Sequence, residues 1–192
     1  MATQYDQDAR LMRQVAAGDK RACRTLLDLY LASTWRVALA CTGRADLADD
    51  LTQEALARLW QVAPKWQARA RVSTWLYRVV KNLWIDHLRK QRPGGEAVDD
   101  IAELADDRAD PHDRYQALQA GATMAQAVAQ LPPRQRIAVT LYYFEDLSID
   151  DGAQVMDIGA DAFQSLIARA RKGLKVMLAD HRQDLMEGLT DE

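Results

Sequence analysis

Residues Lys65–Pro93 read KWQARARVSTWLYRVVKNLWIDHLRKQRP, and their periodicity decides the class of fold. At helical spacing from Ser73, residues Leu76, Val79, Val80, Leu83, His87 and Leu88 form one apolar stripe, with Arg78, Lys81, Arg89, Lys90 and Arg92 largely off it. That is the pattern of a helix with a buried face and a basic outer face. Ser73 suits the N-cap, where a hydroxyl accepts from an early backbone N–H, and Pro93-Gly94-Gly95 ends the run. From Lys65 to Arg92 eight basic residues stand against Asp86 alone, a net of +7 and an electrostatic footprint for phosphate. Trp60, Trp66, Trp75 and Trp84 lie in or beside the stretch. A tryptophan there either fills a core, the expectation for Trp75, or stacks on an unpaired base.

The chain on either side is helical as well, since apolar residues recur at three and four and no stretch sustains strand alternation. Asp6 to Ala17 reads as a first helix, and Gly18-Asp19 breaks it and restarts a second, with Asp19 as N-cap. The second helix is expected to bury Leu26, Leu27, Tyr30, Leu31, Thr34, Val37, Ala38 and Cys41. After a turn at Thr42-Gly43-Arg44, a third helix from Asp46 turns Leu47, Leu51, Ala55, Leu59 and Val62 inward. Asp49, Asp50, Gln53, Glu54 and Arg58 are left outside. Arg114 to Gln130 is an Ala- and Gln-rich helix stopped by Leu131-Pro132. Pro133 suits the first turn of RQRIAVTLYYFEDL, which is expected to bury Ile137, Leu141 and Phe144.

Further on, Ser148 caps a short helix, Ile149 to Met156, and Asp157-Ile158-Gly159 supplies a turn. Ala160 opens a long helix with Phe163, Leu166, Ile167, Ala170, Leu174 and Met177 inward. Gln164, Ser165, Ala168, Arg169, Arg171, Lys172 and Lys175 are outward or at its borders. This is a helix-turn-helix pattern. A recognition helix reads major-groove edges with its exposed first turns, which points to Gln164, Ser165 and Arg169, while Arg171 and Lys172 suit phosphates. The tail after Asp180 is polar and carries no assignable signal. The expected fold is all-α: two small helical domains, residues 1–95 and 114–192, joined by an acidic flexible linker, 96–113.

The chain of 192 residues carries a formal net charge of −3, which for a uniform sphere argues mildly against nucleic acid. The distribution is not uniform, because the +7 block is followed by eight acids between Glu96 and Asp113 against Arg108, a net of −7. Cys23 and Cys41 form no CxxC pair, which fits a reducing cytoplasm. His87, His112 and His181 lack metal-ligand spacing, and the N-terminus has no apolar export segment. No metal site, cofactor motif, nucleophile motif or membrane insertion is expected, and the chain does not read as an enzyme.

The run STWLYRVVKN, with Ile85-Asp86 and Leu88-Arg89 after it, resembles the promoter-melting and minus-ten-reading segment of bacterial sigma factors of the extracytoplasmic-function (ECF) group. DLADDLTQEALARLW, upstream, is similar to the polymerase-binding helix of the same sigma-two domain. LPPRQRIAVTLYYFEDLS resembles the opening of the second conserved domain, sigma-four. The resemblance covers nearly the whole chain. It implies that Asp49, Asp50, Gln53 and Glu54 hold the clamp helices of the largest subunit of core RNA polymerase, and that sigma-four meets the beta-subunit flap. It implies further that Trp66, Arg69, Arg71, Arg78, Lys81, Asn82 and Arg89 meet minus-ten DNA, with the loop before Ser73 holding an extruded base. Gln164, Ser165, Ala168, Arg169, Arg171 and Lys172 would meet minus-thirty-five DNA. By the same analogy the acidic linker threads a polymerase channel, and an anti-sigma factor controls the protein. Three positions depart from the family pattern: Gly152 where an apolar residue usually packs, Asp157 where the turn often has glycine, and Gly159 where serine commonly caps. Glycine inside a helix costs about 1 kcal/mol relative to alanine, so a looser motif is expected. Gln164 also stands where arginine is often found, so an atypical minus-thirty-five preference follows.

Two rivals exist at this level. A stand-alone helix-turn-helix regulator needs only the C-terminal half and leaves the N-terminal half unexplained. A helical adaptor would use the charged faces for protein partners alone.

Overall fold

In the computed structural model, which describes residues 4–67, 70–91 and 124–187, every regular element is helical. The helices form two units, one built on α1–α4 and the other on α5–α8.

In the first unit α1 is Gln4–Ala16, α2 is Lys20–Thr42, α3 is Ala45–Val62 and α4 is Val72–Gln91, with a 3-10 turn at Ala63–Lys65. Gly18 at φ 81° reverses the chain after α1, and Asp19 caps α2 by accepting from the N–H groups of Arg21 (2.8 Å) and Ala22 (3.3 Å). Gly43 ends α2 in the left-handed region at φ 67°, its N–H donating to Leu39 O at 2.8 Å. The core joins Met12 of α1, Leu26 and Val37 of α2, Leu51 and Leu59 of α3, and Val72, Leu76 and Val80 of α4.

Two expectations fail here. Leu31 is 48% exposed, because α2 buries the stripe Leu26, Tyr30, Thr34, Val37, Ala38 and Cys41, and Leu31 stands one residue, about 100°, off Tyr30. Ser73 is not the N-cap of α4: the helix already includes Val72, and the acceptor for its first N–H comes from a distant helix. The Asp8 carboxylate of α1, 1% exposed, accepts from Val72 N at 2.9 Å and from the Tyr30 hydroxyl of α2. The apolar stripe of α4 is buried at Leu76 and Val80, but Val79, Leu83, His87 and Leu88 are only half-buried.

In the second unit α5 is Met124–Ala129, α6 is Pro133–Val139, α7 is Ile149–Met156 and α8 is Ala160–Glu187. The expected helix start at Arg114 lies outside the described residues, as does the acidic segment 96–113. Arg136 Nη1 donates to Ala129 O at 3.0 Å, satisfying a carbonyl at the end of α5. After α6 the chain widens into a π-turn, Thr140–Phe144, closed by Glu145 N donating to Thr140 O at 3.1 Å. The wider winding carries Phe144 out of register, so it is 48% exposed where burial was expected, while Ile137 and Leu141 remain in the core. Ser148 caps α7 as expected: its hydroxyl accepts from Asp151 N at 3.1 Å and donates to the Asp151 carboxylate at 2.8 Å. α8 continues past Asp180 to Glu187, where the sequence offered no assignment.

Gly152 overturns the expectation of a loose motif. A Cβ there would stand 2.2 Å from Cζ of Phe163, whose ring is 0% exposed. The missing side chain leaves the seat of Phe163, the bulkiest buried residue described in α8. Gly152→Ala is expected to destabilise the protein by about 1–3 kcal/mol through overpacking, although alanine is the better helix former. Phe163→Leu in the same chain should return part of that loss, measured by urea unfolding of the two single variants and the double variant.

Candidate nucleic-acid and protein interfaces

Three exposed faces carry the residues singled out in the sequence. On α3, Asp49, Asp50, Gln53 and Glu54 are exposed at i, i+1, i+4 and i+5, which places them on one side of the helix. Leu51, Ala55 and Leu59 hold the other side in the core. Asp49 Oδ1 accepts from Trp35 Nε1 of α2 at 2.7 Å, and Glu54 Oε1 accepts from Arg58 Nε at 2.9 Å. At the start of α3 the Arg44 guanidinium, hydrogen-bonded to Asp46, holds that carboxyl below its ordinary range, with the Leu47 N–H acting in the same direction. The face is thus acidic, with two of its carboxylates oriented by fixed donors.

The second face is on α4 and the loop before it. Arg78, Asn82 and Arg89 are exposed at i, i+4 and i+11, within about 40° of one another around the helix. Arg89 also lies 3.8 Å from the Asp86 carboxylate. Lys81 departs from the set, for it is 5% exposed. Arg69 lies outside the described residues. Trp66 and Trp75 meet edge to face, ring centroids 5.9 Å apart, so the tryptophans pack on each other as well as on the core. Among the described residues Trp66 Nε1 and Arg71 Nε are buried atoms with no hydrogen-bond partner, and the Arg71 guanidinium sits 5.8 Å from the centroid of the Tyr5 ring of α1. Trp84 and His87 stack at 5.5 Å on the half-buried side of α4, where His87 Nε2 also meets Gln91 Nε2 at 2.8 Å.

The third face is the exposed flank of α8. Gln164, Ser165, Ala168, Arg169, Arg171 and Lys172 are all exposed, while Phe163, Leu166, Ile167 and Ala170 are buried. Arg169 Nε donates to Ser165 O at 3.2 Å, which fixes the guanidinium one turn from its own Cα. The preceding turn holds Asp157 at φ 62°, the left-handed conformation in which glycine is common and aspartate is tolerated.

Residues 26–93 match the model of Sigma-70 region 2, and residues 122–174 that of Sigma-70, region 4. The RNA polymerase sigma-H factor of Pseudomonas aeruginosa is 32% identical over 190 residues, covering 91% of this chain and 94% of its own. The chain belongs to the ECF group of the sigma-70 family. It is also 28% identical over 178 residues to the ECF RNA polymerase sigma factor SigW of Bacillus subtilis, covering 88% of this chain and 95% of that one. Among solved structures, the sigma factor RpoE bound to the anti-sigma factor NepR from Bartonella quintana shares the fold, with a TM-score of 0.60, 21% identity, and coverage of 81% and 96%. The chain is therefore a transcription initiation factor rather than a lone helix-turn-helix regulator, because both sigma regions are present.

What sequence reasoning missed is Asp8, which lies in α1 and outside both matched regions. A signal was available: Asp8, Met12 and Val15 stand at i, i+4 and i+7, so a carboxylate occupies a core register position. Among the described residues no group of His, Cys, Asp and Glu could hold a metal, and no helix is long and apolar enough to cross a membrane.

Proposed function

We propose that this sigma factor docks on the clamp helices of the largest polymerase subunit through Asp49, Asp50, Gln53 and Glu54, and on the beta-subunit flap through its second unit. Trp66, Arg69, Arg71, Arg78, Lys81, Asn82 and Arg89 then engage the opened minus-ten element. Gln164, Ser165, Ala168, Arg169, Arg171 and Lys172 engage the minus-thirty-five element. Residues 1–95 and 114–192 act as the two working domains, 96–113 as the acidic connection between them. An anti-sigma factor covers these faces until released, and the protein works in the cytoplasm, with all catalysis left to the polymerase.

The observation that carries this reading is the segregation of charge: an acidic face on α3 suits a protein partner, and a basic face on α4 with a polar-basic flank on α8 suits DNA. Run-off transcription on a promoter library, with and without core polymerase, tests it. Specific opening should need both proteins; tight specific binding to duplex by the chain alone would favour the lone-regulator reading.

Asp50→Arg with Glu54→Arg should weaken core binding at least about tenfold, or ~1.4 kcal/mol, since the second change also sets like charge beside Arg58. Fluorescence anisotropy with core polymerase measures it, and an unchanged melting curve shows that the fold survives. Arg169→Ala should relax the minus-thirty-five preference, losing about 1–3 kcal/mol of discrimination, whereas Lys172→Ala should weaken all sequences alike and flatten the salt slope. A library selection distinguishes the two. Asn82→Ala should spare duplex affinity and cost the opening equilibrium roughly 1–2 kcal/mol, read as fewer permanganate-reactive thymines.

A further inference from the structure

On both sides of residues 68–69, the chain between the 3-10 turn and α4 meets α1. At its near end, α1 packs against the turn Ala63–Lys65. At its far end, the Tyr5 ring lies under the Arg71 guanidinium at 5.8 Å, and the Asp8 carboxylate accepts from Val72 N at 2.9 Å. Asp8 is itself fixed, because it also accepts from the Tyr30 hydroxyl of α2 and is 1% exposed. A buried carboxylate is retained only where its acceptors are used, and an anionic group at a helix N-terminus is favoured by the helix dipole. This arrangement therefore fixes where α4 begins and how the chain enters it. Trp66 Nε1 and Arg71 Nε, on either side of residues 68–69, are buried donors with no hydrogen-bond partner among the described residues, which leaves both open to an outside acceptor.

We infer that α1 is a positioning element for promoter opening: Asp8 and Tyr5 set Arg71 and the first turn of α4 in the geometry that captures an unpaired base. The inference rests on the proposed role of the loop before α4. Asp8 touches no DNA. It acts through Val72 and, with Tyr5, through Arg71. The α3 docking face and the α8 flank are held by other contacts, so disturbing Asp8 should separate opening from the other two activities.

The test uses full-length holoenzyme with Asp8→Ala, Asp8→Asn and Tyr30→Phe, each below its melting temperature. For Asp8→Ala the expected result is core affinity within about twofold of wild type, unchanged duplex affinity, and about tenfold fewer promoters with permanganate-reactive thymines. A pre-melted bubble should rescue it only in part, since capture of the base is itself impaired. Asp8→Asn, which keeps a carbonyl acceptor for Val72, should recover a large part of the opening. Should Asp8→Ala fail to fold, Tyr30→Phe replaces it, with a two- to threefold opening defect expected by loss of one hydrogen bond, on the order of the usual net value. Normal opening by folded Asp8→Ala, or by Tyr30→Phe where that variant stands in, overturns the inference. So does an equal loss of core binding, duplex binding and opening, which is the mark of general destabilisation. Failure of the wild-type holoenzyme to open any promoter would instead remove the proposed function itself.

Discussion

One buried carboxylate ties the first unit together. Asp8 reaches from α1 to the backbone of Val72 and to the Tyr30 hydroxyl, so three helices meet at a single acceptor group. Each partner left without it would be a buried donor, and such a donor costs about 1–3 kcal/mol. That is a large fraction of the about 5–15 kcal/mol by which a domain of this size is stable. The contact also spans 64 residues of sequence, whereas the N-cap of α2 is made by its own neighbour, Asp19. A local cap would fix only the helix. This one fixes the helix relative to α1 and α2, and with it Arg71 at the entry to α4.

The second unit depends on an absence instead. Among the described residues Phe163 is the largest fully buried side chain, and its ring fills the place a side chain at position 152 would take. Helix propensity alone counts Gly152 as a defect of about 1 kcal/mol. Packing outweighs it: the ring's burial contributes on the order of 1.5–3 kcal/mol, and the contact sets how closely α7 approaches the recognition helix. The departure from the family pattern at position 152 and the bulk of Phe163 are two halves of one contact. The left-handed Asp157 is a different matter, since its conformation carries strain that the close contact at Gly152 does not relieve.

Within the described residues most helix positions, the inward faces of α3 and α8, and both matched sigma regions were legible because each rests on periodicity or on local motifs; the start of the helix expected from Arg114 lies outside those residues, and the end of α8 was not foreseen. Asp19 and Ser148 cap the helices that the sequence assigned to them. The failures share a cause. Leu31, Phe144, Ser73 and Gly152 all depend on something periodicity does not encode: how wide the buried stripe is, where a π-turn shifts the register, and which distant group reaches a helix end. Phe144 and Leu31 look apolar and therefore inward, yet an exposed apolar residue is ordinary and a buried polar one is the informative exception. Asp8 was that exception, and its register beside Met12 was the available clue.

The distribution of exposed charge explains how a chain of net −3 can serve nucleic acid at all. Individual exposed ion pairs contribute little, with a median of about 0–1 kcal/mol, so neither the α3 face nor the α4 face can hold its partner by one contact. Affinity must come from several contacts made together, and orientation from the opposite signs of the two faces. An acidic face repels phosphate as surely as it attracts a basic protein surface. On the proposed reading, the α3 carboxylates would oppose the approach of α4 to free DNA, and docking on a protein partner would neutralise that opposition. On that reading, charge placement alone would favour DNA engagement on core polymerase over engagement by the unaccompanied chain, before any conformational change is invoked.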